Sequence, residues 1–302
     1  VTQTSYQPAI AVSGATGAQG GATARALLRA GRPVRALTRN PDGAGALRLR
    51  QLGAQITYAD FTDRSSLDAA LAGATALFAV TTPFETDVDQ EVKDGFTLLD
   101  AAAATATIGH IVFTSAANAD RDTGIPHFDS KYRLEQHLAA SGMPWTVIAP
   151  AAFMDQYAEE WTLQGLREGV FGRPMPGDKP LALICAADIG AFAALVLTRT
   201  AEFAGRRIDI ASDERTSHEI AAILATACGR EIRFQEFPIE YAARYSPDLA
   251  AMFGYFATVG MRVDITALRR DYPEVCWHTL PQWAANQPWN LRSRPPDNTA
   301  AH

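Results

Sequence analysis

Cysteine is scarce in this 302-residue chain: Cys185, Cys228 and Cys276 stand far apart, and no Cys-x-x-Cys pair occurs. That spacing excludes a disulfide framework and a zinc knuckle; buried thiols in a reducing compartment, and no metal site, are expected instead. Long apolar runs are missing as well. The longest, residues 191–197, is far too short to span a bilayer, so no membrane insertion is expected. Residues 1–9 lack the basic and apolar regions of an export signal, so the expected location is the cytoplasm. Positive charge is not in excess either. With 27 Lys and Arg against 33 Asp and Glu, the net charge is −6 and no basic run occurs, which argues against direct nucleic-acid binding. Lysine is rare even among the cations, occurring only at Lys93, Lys131 and Lys179.

What remains is the composition of an ordinary folded protein, 47% hydrophobic and 20% charged. A chain this long buries roughly three quarters of its unfolded surface. A small-molecule ligand is the expected partner, and the chain is expected as a monomer or homodimer.

Residues 9 to 150 repeat one pattern: a short apolar or β-branched run, a turn with Gly or Asp, then a longer alanine-rich amphipathic segment closing on Gly. That is a βα series, and it predicts a Rossmann-type, doubly wound parallel α/β sheet. Strands are expected at 9–13, 34–38, 55–59, 76–80, 111–115 and 145–149. Gly31, Gly53, Gly73 and Gly142 fall where a helix C-terminus wants a left-handed residue, and Asp63 and Asp87 where an N-cap is wanted. After residue 150 the regularity breaks down. Helical stretches near 155–166, 188–198 and 217–228 alternate with short strands at 181–184, 207–211 and 231–234, and 238–284 reads as further helices. The expected organisation is a nucleotide-binding domain over 1–150, a smaller α/β substrate lobe over 151–285, parts of which can return to the first sheet, and a Pro-rich tail over 286–302.

Directly after the first strand stands Gly14-Ala15-Thr16-Gly17-Ala18-Gln19-Gly20-Gly21, followed by helical sequence. A strand, a Gly-rich turn and a helix aim backbone N–H groups and the positive helix end at one spot, which suits a diphosphate. Gly14 permits the tight turn, Gly17 the approach of phosphate, and Gly20 the packing of helix on strand. Enzymes that prefer NAD usually end the second strand on an acid that binds the ribose. Here the chain reads Leu37-Thr38-Arg39-Asn40, so Arg39 is expected to hold a 2′-phosphate, unless it is a plain surface arginine. NADP(H) is therefore the expected cofactor, with NAD(H) as the alternative. Asp60, just past the third strand, is placed to accept from the adenine amino group, with Phe61 beside it.

The glycine string, together with Thr38-Arg39-Asn40-Pro41, Gln90-Glu91-Val92-Lys93, His127-Phe128-Asp129-Ser130-Lys131 and the stretch 150–155, resembles the NmrA-like family, atypical members of the short-chain dehydrogenase/reductase superfamily. The resemblance spans nearly all of residues 9–285. It implies either an NAD(P)H-dependent reductase of quinones, dyes and aromatic natural products or a nucleotide-sensing regulator without turnover. It also implies that Thr81, Thr82 and Pro83 meet the middle of the cofactor, Lys131 the nicotinamide ribose, and Pro150 the nicotinamide edge. Ala152 and Asp155 depart from the Tyr and Asn that relatives can carry there.

Superfamily reductases use Tyr-x-x-x-Lys to protonate a carbonyl; this chain has His127-x-x-x-Lys131. If the helix begins by His127, the spacing sets both side chains on one face, about 6 Å apart along the axis. His127 is then a candidate proton donor, or else a residue that packs at the helix start. Ser115 occupies the superfamily's carbonyl-polarising position, or else is a plain strand-end hydroxyl. Without a tyrosine, hydride delivery to an electron-poor acceptor such as a quinone or polycyclic aromatic fits the site best. Phe84, Phe153, Met154, Tyr157 and Trp161 are candidates to line a flat aromatic substrate, with core packing as their alternative role. The competing functions are an NADP(H)-sensing regulator and a reductase partner supporting oxygenation of an aromatic compound in a natural-product pathway.

Overall fold

The computed structural model describes residues 8–289 and 291. The βα series forms as its pattern dictates. Strands β1 (Ala9–Val12), β2 (Val34–Thr38), β3 (Gln55–Tyr58), β4 (Ala74–Ala79), β5 (Ile111–Thr114) and β6 (Trp145–Pro150) alternate with helices α1 (Ala18–Arg29), α2 (Ala44–Gln51), α3 (Arg64–Leu71), α4 (Val88–Ala104) and α5 (Pro126–Ala140). Strands β1, β4 and β5 are apolar almost throughout because helices cover both faces of a parallel sheet. Local punctuation falls where the residue types require it. Gly31, Gly53, Gly73 and Gly142 all have positive φ, and the Asp63 and Asp87 carboxylates accept from first-turn amides of α3 and α4.

The chain continues through β7 (Ala152–Phe153), α6 (Glu160–Arg167), β8 (Val170–Arg173), β9 (Pro180–Ile184), α7 (Ala186–Thr198), β10 (Arg206–Ile210), β11 (Asp213–Thr216) and β12 (Arg233–Glu236). The described residues form two compact units. One takes those within Val1–Ala151, Ala186–Ala211 and Met261–Trp277, the other those within Ala152–Cys185, Ser212–Gly260 and His278–His302.

In the first unit, a sheet that is seven-stranded among the described residues runs β10-β6-β5-β4-β1-β2-β3, all neighbours parallel. The expected lobe over 151–285 is accordingly divided. Strand β10 returns to pair with β6 from Arg206↔Thr146 to Ile210↔Pro150, and α7 packs on α1 so tightly that a Cβ at Gly190 would lie 2.4 Å from the Ala22 backbone. The sheet order reverses between β1 and β4, and such a switch point opens a crevice at the carboxyl ends of the strands.

The second unit holds the sheet β11-β9-β7, the parallel pair β12-β8, and the helix Ser217–Cys228, which starts on a Thr216/Glu219 capping box. The helix expected at 155–166 is broken. Met154–Ala158 is a 3-10 turn and α6 begins only at Glu160, because Glu159 is extended (φ −83°, ψ 153°). The cysteines form no disulfide; Cys185 is buried as expected, but Cys228 is half-buried and Cys276 exposed, since the last two lie at an amphipathic helix end and in a loop. No helix among the described residues is long and apolar enough to cross a membrane. The expected tail lies outside the described residues at 290 and 292–302, as do residues 1–7.

One buried titratable group ties the sheet edge together. Thr200 donates to His110 Nδ1 (3.2 Å), His110 Nε2–H donates to Thr146 Oγ1 (2.9 Å), and Thr146 donates to the Phe203 carbonyl (2.8 Å). Nδ1 is thus an acceptor that a proton would destroy, and burial pushes the imidazole down to about 4 from 6.5. A depressed histidine makes the unfolded chain bind more protons between those values. Its stability contribution is therefore full above pH 6.5 and lost as pH falls toward 4, by about 3 kcal/mol. Unfolding free energies from urea titration at pH 7.5 and 4.5 are expected to differ by about that much more for wild type than for His110→Asn.

Candidate functional site

The turn after β1 is built from glycine geometry. Gly14 has φ +53° with Val80 Cγ1 2.6 Å from where its Cβ would be, and a Cβ on Gly20 would lie 2.3 Å from the Gly14 carbonyl oxygen and 2.5 Å from that of Ser13. Only hydrogen fits at Gly20, so α1 starts directly against the end of β1. The turn closes through Gly17 N–H donating to the Gly14 carbonyl at 2.9 Å. Gly17 is the N-cap of α1, with no side-chain cap bond and no acid in the first turn. Gly14, Thr16, Gly17 and Ala18 are exposed, so uncapped amides and a positive helix end lie open to an anion. Two contacts absent from the sequence reading brace this turn. Ser13 bridges β1 and β4, donating to the Val80 carbonyl (3.2 Å) and accepting from the Val80 amide (2.8 Å). Gln19 accepts from Thr114 at the end of β5 (2.6 Å), so its side chain is tied down rather than aimed outward.

At the end of β2, Arg39 is exposed and paired with Glu85 from the loop after β4. Asp60 and Phe61 follow β3, half-buried. The Thr62 amide, donating to Asp60 Oδ1 at 2.9 Å, is the largest of several causes holding that carboxyl below its ordinary range; the Thr62 hydroxyl (2.8 Å) and the nearby Arg39 charge act the same way. Past β4, Thr81 and Pro83 are buried and Thr82 exposed, while Phe84 is 73% exposed with its ring centroid 5.6 Å from that of His127.

Helix α5 starts at Pro126, so His127 and Lys131 share one face. His127 is half-buried; Lys131 is buried. The Lys131 Nζ donates to the Thr81 carbonyl (2.6 Å) and Oγ1 (3.0 Å) and lies 2.8 Å from Glu91 Oε1. Burial pulls its ammonium below the ordinary lysine value, while Glu91 and Glu135 oppose that pull. One turn further, Glu135 accepts from the Ser115 hydroxyl and from Arg207 Nε (2.7 Å), its carboxyl raised by burial against the attraction of Arg207. Ser115 directs its proton to Glu135, and a hydroxyl so engaged offers lone pairs, not a donor, to a carbonyl.

Neither Glu91 nor Glu135 was read as part of the site. The signal was periodicity: Glu91 stands in register with the buried Gly95, Leu98 and Ala102, and Glu135 with Leu134 and Leu138, so each places an acid on an apolar stripe. Pro150 ends β6, buried.

The remaining aromatic candidates belong to the second unit, where Phe153 is half-buried and Trp161 is 59% exposed. Met154 and Tyr157 are fully buried, in keeping with the core-packing alternative. Tyr157 packs at 5.7 Å from Phe171 and 6.2 Å from Trp283 and accepts from Arg173 (3.1 Å), as core residues do.

The model of the NmrA-like family matches residues 7–275. The (4-alkanoyl-5-oxo-2,5-dihydrofuran-3-yl)methyl phosphate reductase of Streptomyces griseus is 35% identical over 252 residues, covering 81% of this chain and 84% of that protein. The NAD(P)H azoreductase of Xenophilus azovorans is 31% identical, covering 77% of this chain and 78% of its own. Among solved structures, an NADPH-dependent quinone oxidoreductase from Escherichia coli complexed with NADPH superposes with a TM-score of 0.77 at 28% identity, over 91% of this chain and 98% of that one. The glycine turn, the sheet order and these matches agree: the chain belongs to the NmrA-like family.

Proposed function

We propose that this NAD(P)H-dependent oxidoreductase reduces a quinone or polycyclic aromatic acceptor with NADPH. The observation that carries the reading is the exposed turn Gly14–Ala18, its amides uncapped beside a helix N-terminus with no acid in the first turn. The residues fit the cofactor. Gly14, Thr16, Gly17, Ala18, Gln19 and Gly20 would hold the diphosphate, Arg39 the 2′-phosphate in exchange for Glu85, and Asp60 with Phe61 the adenine. Thr81, Thr82 and Pro83 would flank the middle of the molecule, Lys131 the nicotinamide ribose and Pro150 the nicotinamide. When bound, the nucleotide supplies a hydride.

The choice of acceptor follows from what the chain's own residues can donate. With no tyrosine at position 127 and the Ser115 hydroxyl directed to Glu135, a simple ketone would have only His127, a shorter side chain than tyrosine, as its acid while charge develops on its oxygen. An acceptor that spreads that charge over a conjugated ring needs only positioning, and its oxygens take their protons from His127 or water. Phe84, exposed beside His127, offers that acceptor a flat apolar contact.

The test is NADPH oxidation followed at 340 nm with a panel of quinones, an azo dye, a butenolide phosphate and simple ketones. Quinone turnover is expected for wild type, little with ketones, and a fall of about tenfold or more for Lys131→Ala, the loss of one charged hydrogen bond. Tight NADPH binding without turnover of any acceptor would overturn the reductase reading in favour of a sensor.

A further inference from the structure

Lys131 is not merely buried; it sits opposite a carboxylate that is itself fully occupied. Glu91, 1% exposed, receives Lys131 and the Thr81 hydroxyl (2.9 Å) on Oε1 and the Ser130 hydroxyl (2.5 Å) on Oε2. The three Nζ donors of Lys131 are likewise all placed, on Glu91 and twice on Thr81. A buried ion pair offsets its desolvation only when both partners are satisfied in this way. Two of the lysine's three contacts are neutral and can be exchanged for a ligand hydroxyl without changing any charge. The third cannot, because Glu91 is the counter-charge.

The other charge facing Lys131 is Glu135 on its own helix, and that acid is already paired with Arg207 from β10. From β5 comes the Phe113 ring, whose centroid is 5.5 Å from Nζ. Without Glu91, a lysine in such surroundings gives up its proton at far lower pH than one in water.

We propose that Glu91 is the positioning residue of the cofactor site: its carboxylate fixes both the charge and the aim of the Lys131 ammonium. The inference rests on Lys131 being a cofactor contact, as argued under the proposed function. At the start of α4 the exposed Asp89 meets solvent, while the buried Glu91 reaches inward to Thr81 just past β4.

The experiment measures the NADPH dissociation constant from pH 6 to 10 for wild type, Glu91→Gln, Glu91→Asp and Lys131→Met, with near-ultraviolet circular dichroism at each pH to confirm folding. Glu91→Gln is expected to lose affinity by about tenfold or more relative to wild type as pH rises across the range, because its Lys131 gives up the proton at lower pH. Glu91→Asp keeps the charge and should keep the wild-type profile; Lys131→Met should be weak and flat throughout. A Glu91→Gln protein that is flat, whether as tight as wild type or uniformly weaker, would overturn the proposal while leaving Lys131 in place. Wild-type affinity in Lys131→Met would instead remove the reading beneath it.

A second measurement needs no variant to fold. With only Lys93, Lys131 and Lys179 in the chain, the lysine side-chain nitrogen spectrum of the wild-type protein is simple enough to follow Lys131 through its titration. The Lys131 ammonium is expected to be charged at pH 7, and a neutral amine there would refute the role given to Glu91.

Discussion

Replacing Gly20 by valine is expected to abolish nucleotide binding, with a loss of about 100-fold or more in NADPH affinity. The atoms that a Cβ would strike at 2.3 and 2.5 Å are backbone carbonyl oxygens of Gly14 and Ser13, which cannot swing aside as a side chain can. Helix α1 must then withdraw from β1, and the amides that converge on the turn diverge. Each hydrogen bond to a charged phosphate contributes roughly 1.5–3 kcal/mol, so misplacing two or more accounts for the loss. Overpacking itself costs about 1–3 kcal/mol of stability, visible as a lowered melting temperature without unfolding at 25 °C. Gly17→Ala is the graded control. Its Cβ would lie 3.3 Å from the Gly14 oxygen and its backbone (φ −88°) is open to any residue, so a loss well below that of Gly20→Val is expected when both variants are titrated with NADPH and its fluorescence is followed.

Arg39→Ala is expected to weaken NADPH by about 10- to 100-fold and NADH by no more than about twofold, because the guanidinium meets only the extra phosphate. The melting temperature should not change, since the pair that Arg39 forms with Glu85 is more than half exposed on both sides and such pairs contribute little. The NADPH loss should shrink as salt is added, as expected of an exposed contact. Equal losses for the two nucleotides would take the 2′-phosphate away from Arg39.

Much of the first unit was legible because its signals are local. A strand running into Gly14-x-x-Gly17-x-x-Gly20 fixes β1, the turn and α1 between Ala9 and Arg29, and Gly31, Gly53, Gly73 and Gly142 mark helix ends that the backbone could hardly make otherwise. Helix Ser217–Cys228 was equally plain, bounded by its capping threonine and by Gly229 at φ 65°. What the chain hides is long-range. Nothing near Arg206–Ile210 states that it pairs with β6, sixty residues earlier, because register between distant strands is settled by packing and not by neighbours in sequence.

The site shows the same division. Gly14, Gly17, Gly20 and Lys131 announce themselves by spacing, and the cap at Asp87 by its place before a helical run. The partners of these residues do not. Ser13 latches onto Val80, Thr114 onto Gln19, and Glu91 onto Lys131, each across 40 or more residues of chain. An acid in a helix reads as solvated until its neighbours at three and four residues are seen to be apolar. The aromatic run from Phe153 to Trp161 is ambiguous for the opposite reason: large apolar side chains suit a substrate and a core equally, and here Met154 and Tyr157 are fully buried.

The central claim is that the amides between Ser13 and Ala22 grip the diphosphate of a nicotinamide nucleotide. Titrating uniformly 15N-labelled protein with NADPH and following every backbone amide tests it most directly. The account predicts that the largest shifts fall on Gly14 to Gly21, that Arg39 and Lys131 follow, and that Gly20→Val removes them all. Shifts centred elsewhere, or none at saturating nucleotide, would contradict it.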